Sequence, residues 1–383
     1  MYSCGMANSS RVDAQLAALP ADARATLQRY GFDRERFIGL SHRVASGLPD
    51  ENTVRGELSP PAPDDIQQLP QRGPERERLV ALGSEALRRG QVALVVLAGG
   101  MATRMGGVVK ALVEALPGKT FLELRLEEMA SLERKFGKAP PLWLMTSHST
   151  EQAIRDALGE RLDGEHIGLF SQFLSLRLTP DGQLFLDVSG RPSEHAPGHG
   201  DLPSALQKSG LLGPFVARGG RVVMVTNLDN LGGTLDPAII GWHLAHGEPV
   251  TAEVVEKVAG DRGGIPVRVD GEPCILEEFR IPKSFDPASV RVFATNVFHF
   301  DARALAELDI PWTYFRVTKQ VEGKPVLQFE RLINEVSSFL PTRYLLVPRD
   351  GEASRFLPVK DNEELEQRRQ EIELVARSRG MLG

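Results

Sequence analysis

The sequence predicts an α/β fold, a mainly parallel sheet with helices on both faces. Three observations predict it. From residue 91 onward, short apolar runs alternate with segments of helical period. The first run, VALVVL at 92–97, is apolar throughout, as a strand covered on both faces must be. It enters Leu97-Ala-Gly-Gly-Met-Ala-Thr-Arg-Met-Gly106 and then Lys110, a glycine pair, a polar turn and a cation. Glycines let a backbone approach a phosphate, amides point at its oxygens, and a lysine supplies charge. The loop is neither a Walker A loop, lacking Gly-Lys-Ser/Thr, nor a dinucleotide fingerprint, lacking the G-x-G-x-x-G spacing.

Element by element, residues 11–45 carry helical periodicity through Leu16, Leu19, Leu27 and Tyr30, then Phe37, Leu40 and Val44, punctuated by Pro20 and Gly31. Residues 46–75 are rich in Pro, Asp and Gly and read as a connection. An N-terminal helical region is therefore expected over 1–75, an α/β domain over 76–360 and a charged helix over 361–383. A helix over 75–89 leads into the first strand. Strands are expected at 91–97, 141–146, 166–171, 221–226, 250–257, 291–300 and 313–320. Helices are expected at 121–136, 149–158, 202–210, 236–246, 301–308, 330–339 and 361–379. Hairpins turn at Pro180-Asp-Gly182 and Asp270-Gly271.

The 383 residues are 42% hydrophobic and 25% charged, an ordinary globular composition with ample material for a core. A net charge of -6 gives no broad basic surface, so nucleic acid is not an expected partner. Cys4 and Cys274 lie far apart in sequence, which disfavours a disulfide framework and favours a reducing compartment. No run reaches the length of a membrane span, and the first ten residues lack a signal peptide's basic start and apolar core. The expectation is a cytoplasmic protein with no membrane partner.

Seven later segments matter together: Pro197-Gly-His-Gly-Asp201, Thr226-Asn-Leu-Asp-Asn-Leu-Gly232, Asp261-Arg-Gly-Gly264, Ile275-Leu-Glu-Glu278, Ala294-Thr-Asn296, Val326-Leu-Gln-Phe-Glu330 and Phe356-Leu-Pro-Val-Lys360. With the glycine loop, they are similar in content and order to the eukaryotic-type UTP–glucose-1-phosphate uridylyltransferase family, over about residues 93 to 365. The resemblance implies a Rossmann-like (GT-A-like) nucleotidyltransferase fold. It implies a reaction in which a sugar 1-phosphate attacks the α-phosphorus of UTP with Mg2+ assistance. Such chemistry asks a protein for positioning and charge neutralisation, since the nucleophile is already ionised.

By resemblance, Asp229 is the metal ligand, placed after the 221–226 strand where open α/β sheets bind ligands. Its bland alternative is a turn or helix cap. The resemblance makes Lys360 the cation bridging the reacting phosphates and Lys110 the one holding the leaving pyrophosphate. The Lys110 loop is about one residue shorter than the family's and lacks its proline, so Arg104 is a candidate to share that role. Leu97, Gly99, Gly100, Gln172, Gly198 and His199 match nucleotide-binding positions, with Gln172 on the uracil edge. Asn227, Gly264, Glu277 and Asn296 match sugar-binding positions, although Val297 stands where relatives often have a second Asn.

Other residues have structural readings. Asp201 reads as a helix N-cap, Asn230 as structural, and Glu330 as either a sugar contact or a cap at a helix start. His195, His199 and Asp201 make a weak zinc set with no further partner nearby. His243 and His246 read as solvated or partly packed. The Gly198-His-Gly-Asp201 and Phe356–Lys360 motifs resemble the glucose branch, whereas Phe329-Glu330 resembles the N-acetylhexosamine branch. A broader UDP-sugar pyrophosphorylase and a non-catalytic sugar-nucleotide sensor stay open. The family's frequent C-terminal β-helix is not expected within 361–383, so a monomer or dimer is.

Overall fold

Pro20 and Gly31 separate three short helices: α1 (residues 11–17), α2 (Ala21–Arg29) and α3 (Arg34–Ala45). Asp33 caps α3 by accepting the Arg36 N–H, and Gly31 takes φ +63° at the turn before it. This computed structural model describes residues 11–102 and 105–382. The helices do not form a free-standing region over 1–75. Residues 11–54 join residues 171–202 and 311–333 in a smaller unit. The reason is apolar: Leu16, Leu27, Phe37 and Leu40 are buried in one cluster with Leu174, Leu176, Leu178, Leu184, Leu327 and Phe329. The expected strand near 313–320 is there as Phe315–Val321, paired antiparallel with Lys324–Glu330. The Pro180-Asp-Gly182 turn is tied down by Ser41, whose Oγ donates to the Gly182 carbonyl at 2.6 Å.

The larger unit holds residues 55–170, 203–310 and 334–383. Its sheet has eight strands: β1 (Ile66–Gln68), β2 (Val92–Leu97), β3 (Leu142–Thr146), β4 (Ile167–Ser171), β5 (Val222–Asn227), β6 (Val250–Glu256), β7 (Val292–Asp301) and β8 (Thr342–Leu346). Their order is β1-β8-β6-β7-β5-β2-β3-β4. Strand β7 runs antiparallel to β5 and β6, while the pairs β5–β2, β2–β3, β6–β8 and β8–β1 are parallel. The sheet is mixed and mainly parallel, as the alternation predicts.

The major helices of this unit are α4 (Pro74–Arg88), α5 (Phe121–Phe136), α6 (Pro237–His246) and α7 (Asn362–Ser378). Helix α5 opens with a capping box, Thr120 and Glu123 exchanging bonds with each other's N–H groups, and ends at left-handed Gly137. Helix α7 is no isolated charged tail, because Leu365, Ile372 and Ala376 are buried in the main core with Val359 and Met381. Among the described residues no helix is long and apolar enough to cross a membrane.

The expected helix over 330–339 is absent. Residues Lys324–Glu330 are strand, and Ile333–Ser338 is a 3-10 turn. Strands β1 and β8, the Lys324–Glu330 strand and the Leu212–Ala217 helix carry too few residues of clear period to be predicted. His243 is not a partly solvated histidine. It is buried in α6, with Nδ1 2.9 Å from Thr251 Oγ1 on β6.

Helices α4 and α6 touch backbone to backbone. A Cβ on Gly83 would lie 1.9 Å from the Pro237 carbonyl oxygen, and one on Gly241 would lie 1.9 Å from that of Leu79. No rotamer relieves a clash between backbones. Gly241→Ala is therefore expected to cost about 2–3 kcal/mol of stability, near the upper range for overpacking, measured by urea unfolding. An unchanged midpoint would contradict this contact.

Candidate active site

In the larger unit, β2 and β5 are parallel neighbours whose last residues, Leu97 and Asn227, are in register. Their following turns lie at the strand C-termini, where α/β sheets present ligand-binding loops. After β2, Thr150 Oγ1 donates to Ala98 O at 3.1 Å and Ser147 Oγ donates to Gly99 O at 2.8 Å. The Lys110 N–H donates to Gly100 O at 3.3 Å, folding the loop back onto the glycine pair. Arg104 lies outside the described residues.

The turn after β5 carries Asp229. It caps no helix: Lys110 Nζ sits 2.8 Å from its Oδ2, and the Val359 N–H donates to the same oxygen at 3.2 Å. Lys110 and Asp229 side chains retain 20% and 15% exposure, so the pair remains open to ligand. Lys360 follows Val359 directly and is exposed. Lys110, Asp229 and the segment bearing Lys360 are thereby brought together.

Two buried arginines hold this turn. Arg125 on α5 donates to the carbonyls of Asn230 at 2.6 Å and Gly233 at 2.9 Å, and pairs with Glu128 at 2.8 Å. Arg355 donates to the Thr234 carbonyl at 2.9 Å and pairs with both oxygens of Glu253 on β6, which also meets His299 Nε2 at 2.8 Å. Burial works to raise the Glu253 carboxyl, but Arg355 and His299 override it and hold it below the usual range. Asn230 is structural as expected: Nδ2 donates to Arg355 O at 3.1 Å, and Oδ1 accepts the Leu357 N–H at 2.7 Å. A Cβ on Gly232 would lie 2.7 Å from the Arg355 carbonyl carbon, so the close approach needs glycine. Sequence reasoning missed Arg125, Glu128, Glu253 and Arg355. Charged residues amid the apolar stripe of α5 and the apolar run of β6 were the available signal.

The sugar-type positions fall into two groups. Gly264 and Glu277 are register partners in the hairpin whose turn falls at Asp270-Gly271. Asn334 Nδ2 donates to Glu277 Oε1 at 2.6 Å, and a Cβ on Gly264 would meet that same Nδ2 at 2.6 Å. Burial raises the Glu277 carboxyl, with Asn334 opposing. Asn296 lies within β7 at a register break opposite Ala252 and Val254, with φ +59°. Left-handed backbone inside a strand is strained for most residues and is tolerated best by asparagine. Asn227 ends β5, two residues before Asp229.

In the smaller unit, Gln172 is buried beside Phe173, whose N–H donates to Asp201 Oδ2 at 2.9 Å. Asp201 directly precedes the Leu202–Lys208 helix and is also paired. Its other oxygen, Oδ1, accepts from Arg331 Nε at 2.8 Å and from Arg331 Nη2. The Arg331 guanidinium lies 5.4–5.7 Å from the ring centres of Phe173, Trp312 and Tyr314. Its backbone ties down the glycine loop, accepting from Gly200 N and donating to Pro197 O. Gly198 takes φ +107°, and a Cβ there would lie 2.7 Å from Arg331 O. His199 Nδ1 accepts the Ile333 N–H at 3.0 Å. Among the described residues no three His, Cys, Asp or Glu side chains group as a metal site, and the His195–His199–Asp201 set is no exception. Glu330 begins no helix. It ends a strand and accepts from Gln328 Nε2 at 2.6 Å.

The model of the UTP–glucose-1-phosphate uridylyltransferase family matches residues 36–374. The chain belongs to this family. A family member from Astragalus penduliflorus, named UTP–glucose-1-phosphate uridylyltransferase, is 31% identical over 72% of this chain and 61% of its own length. The Saccharomyces cerevisiae protein of that name is 28% identical over 93% of this chain and 72% of its own. The chain thus spans less than two thirds of the Astragalus relative. Two solved structures share the fold. One is a mutant UDP-glucose pyrophosphorylase from Leishmania major in complex with UDP-glucose (TM-score 0.70, 23% identity, 91% of this chain and 79% of that one). The other is the uridine diphosphate N-acetylglucosamine pyrophosphorylase from Trypanosoma brucei (TM-score 0.72, 21% identity, 93% and 79%).

Burial lowers the titration of His195 and His199 to about 4 each, from 6.5. The unfolded chain therefore takes up protons before the folded one as pH falls. Stability present above pH 6.5 is lost between about 6.5 and 4, by roughly 2 kcal/mol per ring at pH 4.5. Thermal unfolding across this window should show the fall, and His195→Gln should remove one ring's share of it. A pH-independent midpoint would contradict the neutral assignment.

Proposed function

We propose that this chain transfers the uridylyl group of UTP to glucose 1-phosphate, releasing pyrophosphate. The observation that carries the reading is the junction at the end of β5, where Asp229, Lys110 and the Val359–Lys360 backbone meet. Family membership supplies the substrate classes. The Gly198–Asp201 and Phe356–Lys360 motifs favour glucose as the sugar.

In the proposed step, a sugar-phosphate oxygen forms a bond to the UTP α-phosphorus. The bond from that phosphorus to the bridging oxygen breaks, and the electron pair leaves with pyrophosphate. The protein's part is alignment and charge. Lys360 neutralises charge shared between attacking and leaving phosphates, and Lys110 that on the leaving pair. In the larger unit the Gly99–Gly100 backbone is offered to the nucleotide, and in the smaller unit Gln172, Gly198 and His199 are the nucleotide-contact candidates. A neutral His199 suits that position, since it accepts a backbone N–H. Leu97 ends the strand that presents this loop. Asn227, Gly264, Glu277 and Asn296 bind the hexose hydroxyls.

The donor chemistry fits Mg2+: one partly exposed carboxylate that already attracts a cation, beside a phosphate site. Asp229 would hold it, and it would neutralise charge on the triphosphate. A buried, free Cys274 accords with a reducing, cytoplasmic setting.

Two variants test the reading. Asp229→Asn keeps the shape and removes the charge, and should abolish most pyrophosphate release. Lys360→Ala should lower the rate by about two to three orders of magnitude while UTP titration by calorimetry changes far less. A folded Lys360→Ala protein within a few-fold of the parent would remove Lys360 from the chemistry.

A further inference from the structure

Both contacts to the Asp229 carboxylate fall on Oδ2: Lys110 Nζ at 2.8 Å and the Val359 N–H at 3.2 Å. An ammonium this close neutralises the carboxylate, occupies Oδ2 and repels a divalent cation that would sit about 2.1 Å from a carboxylate oxygen. Lys110 is also placed to leave. Its stem is a flexible chain with a compact charge. It follows Gly106 and Gly107, both with positive φ and nothing within 4 Å of an added Cβ.

We propose that Lys110 is the resident counter-ion of Asp229, exchanged for a divalent cation when that cation arrives with the nucleotide. The proposal rests on Asp229 as the metal-binding carboxylate. The exchange has two consequences. The nucleotide-free protein disfavours metal alone, because the cation must first displace an internal ammonium. Once displaced, the Lys110 ammonium becomes available to the phosphates that brought the metal. A single lysine thus keeps a partly buried carboxylate neutralised before substrate and serves the leaving group after it. Because Val359 N–H shares the contested oxygen, the exchange takes place at the anchor of the Lys360 segment itself.

The test uses Mn2+ alone as probe on full-length, nucleotide-free protein, with free Mn2+ read by electron paramagnetic resonance. Lys110→Met should bind Mn2+ about fivefold tighter than the parent, the factor matching the upper range of a partly exposed ion pair. Lys360→Met removes the same charge from the neighbouring segment without removing the Lys110–Asp229 contact, and should stay within about twofold of the parent. Adding Asp229→Asn to Lys110→Met should erase the gain. Circular dichroism confirms that each variant is folded. The proposal is overturned if Lys110→Met binds no tighter, if Lys360→Met gains as much, or if the double variant keeps the gain. A separate arm with Mn2+ and UTP isolates the underlying reading. If Asp229→Asn binds Mn-UTP as the parent does, Asp229 is not the metal ligand, and both statements fall. If it loses Mn-UTP while Lys110→Met matches the parent with Mn2+ alone, only the exchange falls.

Discussion

The turn that follows β5 has its carbonyl groups facing protein rather than water, and each needs a donor. A buried carbonyl without one costs on the order of 1–3 kcal/mol. Two arginines meet this constraint: Arg125 serves Asn230 and Gly233, and Arg355 serves Thr234. A buried guanidinium needs its own counter-charge, which Glu128 and Glu253 provide. Glu253 is fully enclosed and lies on β6, so the sheet itself holds the Arg355 segment. The glycines at 232 and 233 follow from the same crowding, since a Cβ at Gly233 would lie 2.3 Å from Thr226 Oγ1.

The candidate functional residues are the part of this arrangement left open. Asn230 and Arg355 are enclosed, while Asp229 and Lys110 keep a share of solvent and Lys360 is exposed. A rigid frame with exposed charges at its rim suits phosphoryl-type chemistry, which depends on position more than on proton transfer. The smaller unit repeats the logic in its own chemistry. One arginine, Arg331, holds Asp201 by its guanidinium and the 197–200 loop by its backbone, so two candidate nucleotide-contact segments depend on one buried pair.

Much of this was legible in the sequence because it is local. The β2 run, the capped α5 and the β5 run announce themselves through periodicity and caps, and motif order pointed to the fold and family. The ends of strands also pointed to Asp229. What could not be read is non-local. Nothing in the spacing of Lys110 and Asp229 says that they touch, nor that Asp201 pairs with Arg331. Glu330 read as a helix start but ends the Lys324–Glu330 strand, because the pairing partner, not the local pattern, decides its conformation. The N-terminal helices read as a separate region because their core partners lie at 174–184 and 327–329.

The central claim is that the Asp229–Lys110–Lys360 junction serves uridylyl transfer to glucose 1-phosphate. Its most direct measurement is pyrophosphate release from UTP across a panel of sugar 1-phosphates with Mg2+ present. The account predicts release, with the highest kcat/KM for glucose 1-phosphate over the N-acetylglucosamine and galactose analogues. Folded protein that binds UDP-glucose yet releases no pyrophosphate with any sugar would contradict it.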